Sequence, residues 1–345
     1  MNKLLFFDST LRDGSHAVAH KISAVTIREY CRAADNAGFY TIIVGHGNGL
    51  GASSLQVGIA ETSDQVMITT ARSELKKTRL GVFLIPGFGT IKDDLGPALD
   101  NGVDLVCIAS HCTEADITQQ HIKYVRQRGK EAYGILMMHH MTTAERLLEE
   151  ALKMQDYGAL GVMLMDSAGA SVPDMVSERV KKLVDNLDIR VGFHAHNNLG
   201  LAIANSYTAI KAGATIIDGT TRGFGAGAGN CQLEVLAGLL LKLKMDIDLD
   251  LYTLMDISED IISKLANQGI SSLSLISGLA GVFSGFAPHV KKAAERFGVD
   301  PRDIFMELGR RKIVAGQEDF IVDIAMYLSQ KKETTNRNYE IESLL

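Results

Sequence analysis

Two histidines one residue apart, His194 and His196, close an apolar run at Val191–His196. Alternate residues of a strand point to the same side, so both imidazoles would face one way. Two imidazoles plus a carboxylate from another strand suit a divalent metal. Asp13, just beyond the first apolar run, is the best third ligand. The plainer alternative makes one of the histidines a hydrogen-bonded packing residue. Arg12 precedes Asp13, and its guanidinium stays charged at any working pH. Beside a metal it would stabilise an oxyanion or enolate; otherwise it would form a structural ion pair with Asp8 or a neighbouring strand end. His16 lies one short turn further on and would serve as a general base, or else as a helix-entry or solvent histidine. His20, His111, His139 and His140 read as supporting or satisfied loop histidines. Cys107 and Cys112 flank a strand end without an activating partner and read as spectator thiols. The run Gly225–Asn230 would open a helix near Asn230 and receive an anion on its backbone amides, or simply make a tight turn; Asn230 itself would lie near the metal.

These residues need a scaffold that gathers them. Eight apolar runs of strand length recur: Leu4–Ser9, Tyr40–Gly45, Arg79–Ile85, Asp104–Ser110, Ala132–Met138, Gly161–Asp166, Val191–His196 and Thr215–Gly219. Each is continuous rather than alternating, as in parallel strands buried on both faces. Amphipathic stretches lie between them, including Ala24–Ala37, Gln119–Gly129, Thr143–Tyr157, Pro173–Leu187 and Ala202–Ala212, several ending in glycine. This alternation predicts an α/β fold, a closed (β/α)8 barrel over residues 1–255. An open doubly wound sheet is the structural alternative, but no GxGxxG follows the first run. Working residues of a barrel sit at the carboxyl ends of its strands. Eight of the 10 histidines fall in or near those loops.

Beyond Met255 the strand-like runs stop. Helical segments at Ile257–Asn267, His289–Phe297, Pro301–Gly309 and Glu318–Ser329 predict a small helical unit over residues 256–330, followed by a polar tail over 331–345. Hydrophobic residues make up 46% and charged residues 22%, which excludes disorder and fibrous repeats. A chain of this size buries about three-quarters of its unfolded surface and needs no staples. Lys plus Arg number 35 against 41 Asp plus Glu, so the chain has no global electrostatic footprint for nucleic acid or an anionic membrane. The 4 cysteines are scattered without a CxxC pair, as in a reducing compartment. The opening segment reaches Asp8 and Arg12 too soon for a signal peptide, and no apolar run approaches a membrane span, so the cytoplasm is the expected setting.

The pieces Thr10-Leu11-Arg12-Asp13-Gly14, His194-Ala195-His196 and Gly227-Ala228-Gly229-Asn230 together resemble the metal-dependent lyases and condensing enzymes that carry an Asp-x-Thr-Leu-Arg-Asp-Gly signature on a (β/α)8 barrel. Within that superfamily the acyl-CoA condensing synthases usually follow Arg-Asp-Gly with a Glu/Asn-Gln pair. Here the pair is Ser15-His16, the pattern of the 4-hydroxy-2-oxovalerate aldolases. The segments 46–50, 111–116, 136–141, 251–256 and 316–319 are similar to that family too, and the likeness runs from about residue 3 to 328.

The resemblance implies roles. Asp13, His194 and His196 would hold a divalent ion, typically Mn2+, with Co2+ or Mg2+ as substitutes. The 2-oxo acid would chelate it, with His194 beside the substrate. His16 would take the C4-hydroxyl proton. The C3–C4 bond would break to release an aldehyde, with the remaining pyruvate enolate stabilised by the ion and Arg12. Ser167 would contact the pyruvyl carboxylate. The helical unit would pack against an acylating aldehyde dehydrogenase that receives the aldehyde directly, as in aromatic hydrocarbon catabolism. The family carries two tyrosines in Gly-Tyr-Ala-Gly-Val-Tyr-Ser-Ser; here Leu279 and Phe283 replace them, and Asn48 stands where Asp is usual. These departures bear on the aldehyde, its stereochemistry and the channel. An acyl-CoA-dependent synthase on the same barrel and a catalytically quiet subunit serving a dehydrogenase are the competing readings.

Overall fold

The structure, a computed structural model, describes residues 3–266 and 268–331. Strands β1 (Leu5–Asp8), β2 (Thr41–Val44), β3 (Arg79–Leu84), β4 (Leu105–His111), β5 (Glu131–Met137), β6 (Gly161–Asp166), β7 (Arg190–Ala195) and β8 (Ile216–Gly219) form a closed parallel barrel in chain order. β8 pairs back onto β1. The apolar runs are continuous because both faces of each strand are buried. One alternate set, including Phe7, Ile43, Phe83, Cys107, Ile135 and Met163, packs together in the barrel bore. The other, including Phe6, Ile42, Val82, Ile108, Leu136 and Phe193, packs under the surrounding helices. His194 pairs in register with Met165 and Asp218, on the bore side, so β7 aims His194 and His196 at the barrel mouth.

Helices Ala24–Ala34, Gln119–Gln127, Ala144–Asp156, Pro173–Val184 and Ala202–Lys211 occupy the amphipathic stretches. Side-chain caps set some of their starts: Ser23 and Thr143 accept the backbone N–H of Thr26 and Arg146, each at 3.2 Å. The helix after the glycine run begins at Leu233 rather than Asn230. Asn230 and Gln232 are instead drawn into β-bridges with His196 and Thr220, which delays the helix until the chain has cleared the barrel rim.

The next helix is Leu251–Asp260, earlier than the stretch beginning at Ile257, because Asp250 caps it through Thr253 N–H at 2.7 Å. It packs on the barrel helices Ala24–Ala34 and Leu233–Lys242. Helix Ser272–Ala280 was not evident from its serine-rich pattern; a capping box between Ser271 and Ser274 starts it. Helices Ala287–Phe297, Pro301–Arg310 and Asp319–Lys331 complete the chain's described part. They enclose a second core that includes Val282, Phe286, Val290, Ile304, Phe305 and Ile324. Apart from Lys331 at that helix end, the tail expected over 331–345 lies outside the described residues. Among the described residues no helix is long and apolar enough to cross a membrane.

Candidate active site

The turn after β1 and the end of β7 bring Asp13, His194 and His196 together. All three are buried, and a ligand atom from each lies within 4.8 Å of the others. His196 Nε2 is 4.0 Å from Asp13 Oδ1. The other carboxylate oxygen, Oδ2, accepts the backbone N–H of Ala226 at 3.0 Å and Asn230 Nδ2 at 2.7 Å. The glycine run therefore does bind an anion, but the anion is the chain's own carboxylate. Gly225 must be glycine for this: a Cβ there would meet Asp13 Oδ2 at 2.4 Å and Asn230 Nδ2 at 1.9 Å. Burial alone would raise the Asp13 carboxyl; Arg12, with His196, His16 and His194, holds it well below the usual carboxylate range. Burial pushes His196 down to about 3, although Asp13 works the other way, so its imidazole is neutral and able to ligate at neutral pH.

His194 Nδ1 lies 3.0 Å from Asp218 Oδ2, in ion-pair range without the alignment of a well-formed hydrogen bond. Asp218 Oδ2 also accepts Ser9 Oγ at 3.0 Å. A carboxylate behind a histidine is the usual outer support of a metal ligand. Both ring nitrogens of His194, Nδ1 of His196 and Oδ1 of Asn230 are buried without a hydrogen-bond partner. Buried polar groups left this way are costly unless something satisfies them. One carboxylate, two imidazoles and unsatisfied nitrogens at one point fit a divalent cation.

Arg12 is buried beside this set. Its Nη1 donates to Asp13 Oδ1 at 2.8 Å and to Gly47 O at 3.3 Å, its Nη2 to Ser9 Oγ at 3.4 Å, and Nε has no partner. The guanidinium lies 4.5 Å above the Phe83 ring. His16, on the short 3-10 helix Asp13–Val18, is partly buried. Burial holds its imidazole below the ordinary value, with Asp13 opposing and Arg12 assisting. His20 and His46 stand beside it, with ring centroids 5.0 and 6.5 Å away, and stack on each other at 3.7 Å. His46 Nδ1 accepts Asn48 N–H at 3.1 Å, so Nε2 carries the proton it gives to Gly58 O at 3.0 Å.

Ser167 follows β6; its Oγ accepts Met138 N–H at 3.2 Å. It lines a mostly apolar cavity of about 360 Å3 together with Asn48, His111, Met137 and Phe283. A second cavity of about 300 Å3 reaches His16, Gln268 and Ser284. Of the two residues that the resemblance sets against tyrosines, Phe283 is on the cavity wall, whereas Leu279 is 36% exposed. His139 and His140 turn away from the metal set: His139 contacts Ser171 and Arg179, and His140 Nε2 meets Gly281 O at 3.1 Å. Cys107 and Cys112 are buried, and burial pushes the Cys112 thiol up to about 12. Sequence reasoning missed Asp218, Asn198 and Gln268. Asp218 left one signal, a lone acid in the bore-facing register of an otherwise apolar strand.

The chain matches the HMGL-like family over residues 3–261 and the DmpG-like communication domain over residues 268–330. It is 55% identical over 336 residues to a 4-hydroxy-2-oxovalerate aldolase of Pectobacterium atrosepticum, covering 96% of this chain and 98% of that one. It is 54% identical over 326 residues to one from Spirochaeta aurantia, covering 94% and 96%. Among solved structures, the carboxyl transferase domain of Rhizobium etli pyruvate carboxylase superposes with a TM-score of 0.81 over 96% of this chain and 61% of that one; at 16% identity this is a likeness of fold. With relatives this similar over nearly their whole length, the chain belongs to the 4-hydroxy-2-oxovalerate aldolase family of carbon–carbon lyases.

Proposed function

We propose that the chain cleaves 4-hydroxy-2-oxopentanoate and related acids to pyruvate and a short aldehyde, with Asp13, His194 and His196 holding Mn2+. The observation that carries this reading is the convergence of those three ligands beside Arg12 and His16. A divalent cation held there would supply Lewis-acid charge to the 2-oxo acid. Arg12 cannot discharge, and its unpartnered Nε leaves donor capacity for the oxygen that becomes negative as the C3–C4 bond breaks. His16, held neutral, takes the C4-hydroxyl proton; the O–H electrons form the aldehyde carbonyl, and the C3–C4 pair stays on the three-carbon fragment as its enolate. The same imidazolium can return the proton to C3, giving pyruvate. Ser167 is the contact for the carboxylate, and the apolar wall with Phe283 takes the aldehyde side.

A barrel followed by a helical unit, divided after helix Leu251–Asp260 rather than at 255/256 because that helix packs on the barrel, and a cytoplasmic setting belong to the same proposal. The helical unit is the docking platform for an acylating aldehyde dehydrogenase, supported by the communication-domain match and by exposed Leu279, Phe320, Val322 and Met326. Incubation of the Mn2+-loaded protein with racemic 4-hydroxy-2-oxopentanoate tests the chemistry. Pyruvate and acetaldehyde in equal amounts, with His16→Ala slowed about 10²–10⁴-fold, support it. No cleavage, or cleavage indifferent to His16→Ala, removes it.

A further inference from the structure

Asp13 is aimed by a segment with little stiffness of its own. Both donors to its Oδ2, Ala226 N–H and Asn230 Nδ2, come from the run 225–230. Gly223, Gly227 and Gly229 adopt positive φ of 66°, 63° and 88°, and glycine backbone has the widest conformational freedom to lose. Something outside the run must hold it. At one end Asn198 accepts Ala228 N–H at 2.9 Å while its Nδ2 donates to Ser284 Oγ at 2.6 Å. At the other end the side-chain amide of Gln268 pairs with both backbone groups of Gly225. Oε1 accepts Gly225 N–H at 2.7 Å, and Nε2 donates to Gly225 O. Gly225 is the residue immediately before Ala226. Gln268 lies 43 positions beyond it, at the first residue of the segment that matches the communication domain.

We infer that Gln268 is a positioning residue for the metal centre, acting through Gly225 and the Ala226 N–H on Asp13, so that metal binding and the seating of the segment at 268–271 are coupled. The inference rests on Asp13, His194 and His196 being the metal site. Coupling of this kind is reciprocal: a segment that steadies the site is itself steadied when the site is filled. Substitutions of outer partners of metal ligands weaken affinity about 10–100-fold.

The test uses the full chain without substrate. The free Mn2+ electron-paramagnetic-resonance signal gives the dissociation constant for wild type, Gln268→Ala, Gln268→Glu and Asp13→Asn. Gln268→Ala is expected to bind Mn2+ about tenfold more weakly. Gln268→Glu, which keeps an acceptor for Gly225 N–H but turns a carboxylate oxygen toward Gly225 O, is expected to weaken Mn2+ binding at least as much. In wild type, amide exchange in residues 225–230 and 268–271 slows on adding Mn2+; in Gln268→Ala the slowing at 268–271 disappears. A merely structural Gln268 would lower thermal stability with and without metal alike and leave the dissociation constant in place. Mn2+ affinity within twofold of wild type in both Gln268 variants overturns the inference. If Gln268→Ala fails to fold, the Gln268→Glu constant decides. If wild type does not bind Mn2+, or Asp13→Asn binds it equally well, the metal site itself is misassigned and the inference falls with it.

Discussion

Gly47 offers a way to move the proposed base while leaving every metal ligand in place. Its backbone lies outside the left-handed region, so alanine is excluded by space and not by φ. A methyl group there would sit 2.3 Å from His16 Nε2, 2.4 Å from Cδ2 and 2.6 Å from Cε1, against the face of the ring. Ordinary van der Waals contact begins at 3.4 Å, so the imidazole must retreat by about 1 Å (3.4 − 2.3). A misplacement of about 1 Å in a catalytic group costs on the order of 10²-fold in rate, or about 2.7 kcal/mol of activation free energy. Gly47→Ala should therefore lower kcat about 100-fold with Mn2+ affinity unchanged. Pyruvate release coupled to NADH oxidation by lactate dehydrogenase reads the rate. The loss should vanish in a His16→Ala background, where no ring remains to displace. Gly47→Ala within threefold of wild type would refute the reasoning, as would an undiminished 100-fold loss in the His16→Ala background.

Other expectations follow from the same geometry. Asp218→Asn removes the charge behind His194 and should weaken Mn2+ binding about 10–100-fold by calorimetry; unchanged affinity would exclude Asp218 from the metal site's support. Burial holds the His16 imidazole below its ordinary value, so the base proposed here would be neutral at neutral pH. Protonation switches it off on the acid side only, so kcat/KM should decline as pH falls below about 6.5, and a decline centred above pH 7 would contradict that. The 4 thiols are all buried, so Ellman's reagent should react slowly with the native chain and at all 4 sites after unfolding; rapid native labelling of Cys107 or Cys112 would reopen the case for a reactive thiol.

Much of this was legible in the sequence. A barrel strand is buried on both sides, so each left a continuous apolar run, and the runs marked where their carboxyl ends, and hence the chemistry, must lie. The period of two at His194 and His196 carried directly into shared orientation. What stayed hidden was mostly long-range and non-periodic. Gln268 meets Gly225 from 43 positions away, and Asn198 bridges Ala228 to Ser284 across the barrel rim; neither contact has a sequence period to betray it. The glycine run signalled an anion site correctly in kind, but the pattern could not say that Asp13 supplies the anion. Helix Ser272–Ala280 was hidden because serines at 274 and 277 interrupt its buried face, while the Ser271–Ser274 capping box that starts it depends on side-chain geometry.

A titration of metal-stripped protein tests the proposed metal site most directly. Cleavage of 4-hydroxy-2-oxopentanoate should be absent in chelator-treated enzyme, return on adding Mn2+ and saturate at one ion per chain, with no return in His196→Ala. Full cleavage by the metal-free protein, or restoration by Mn2+ that survives loss of both Asp13 and His196, would contradict it.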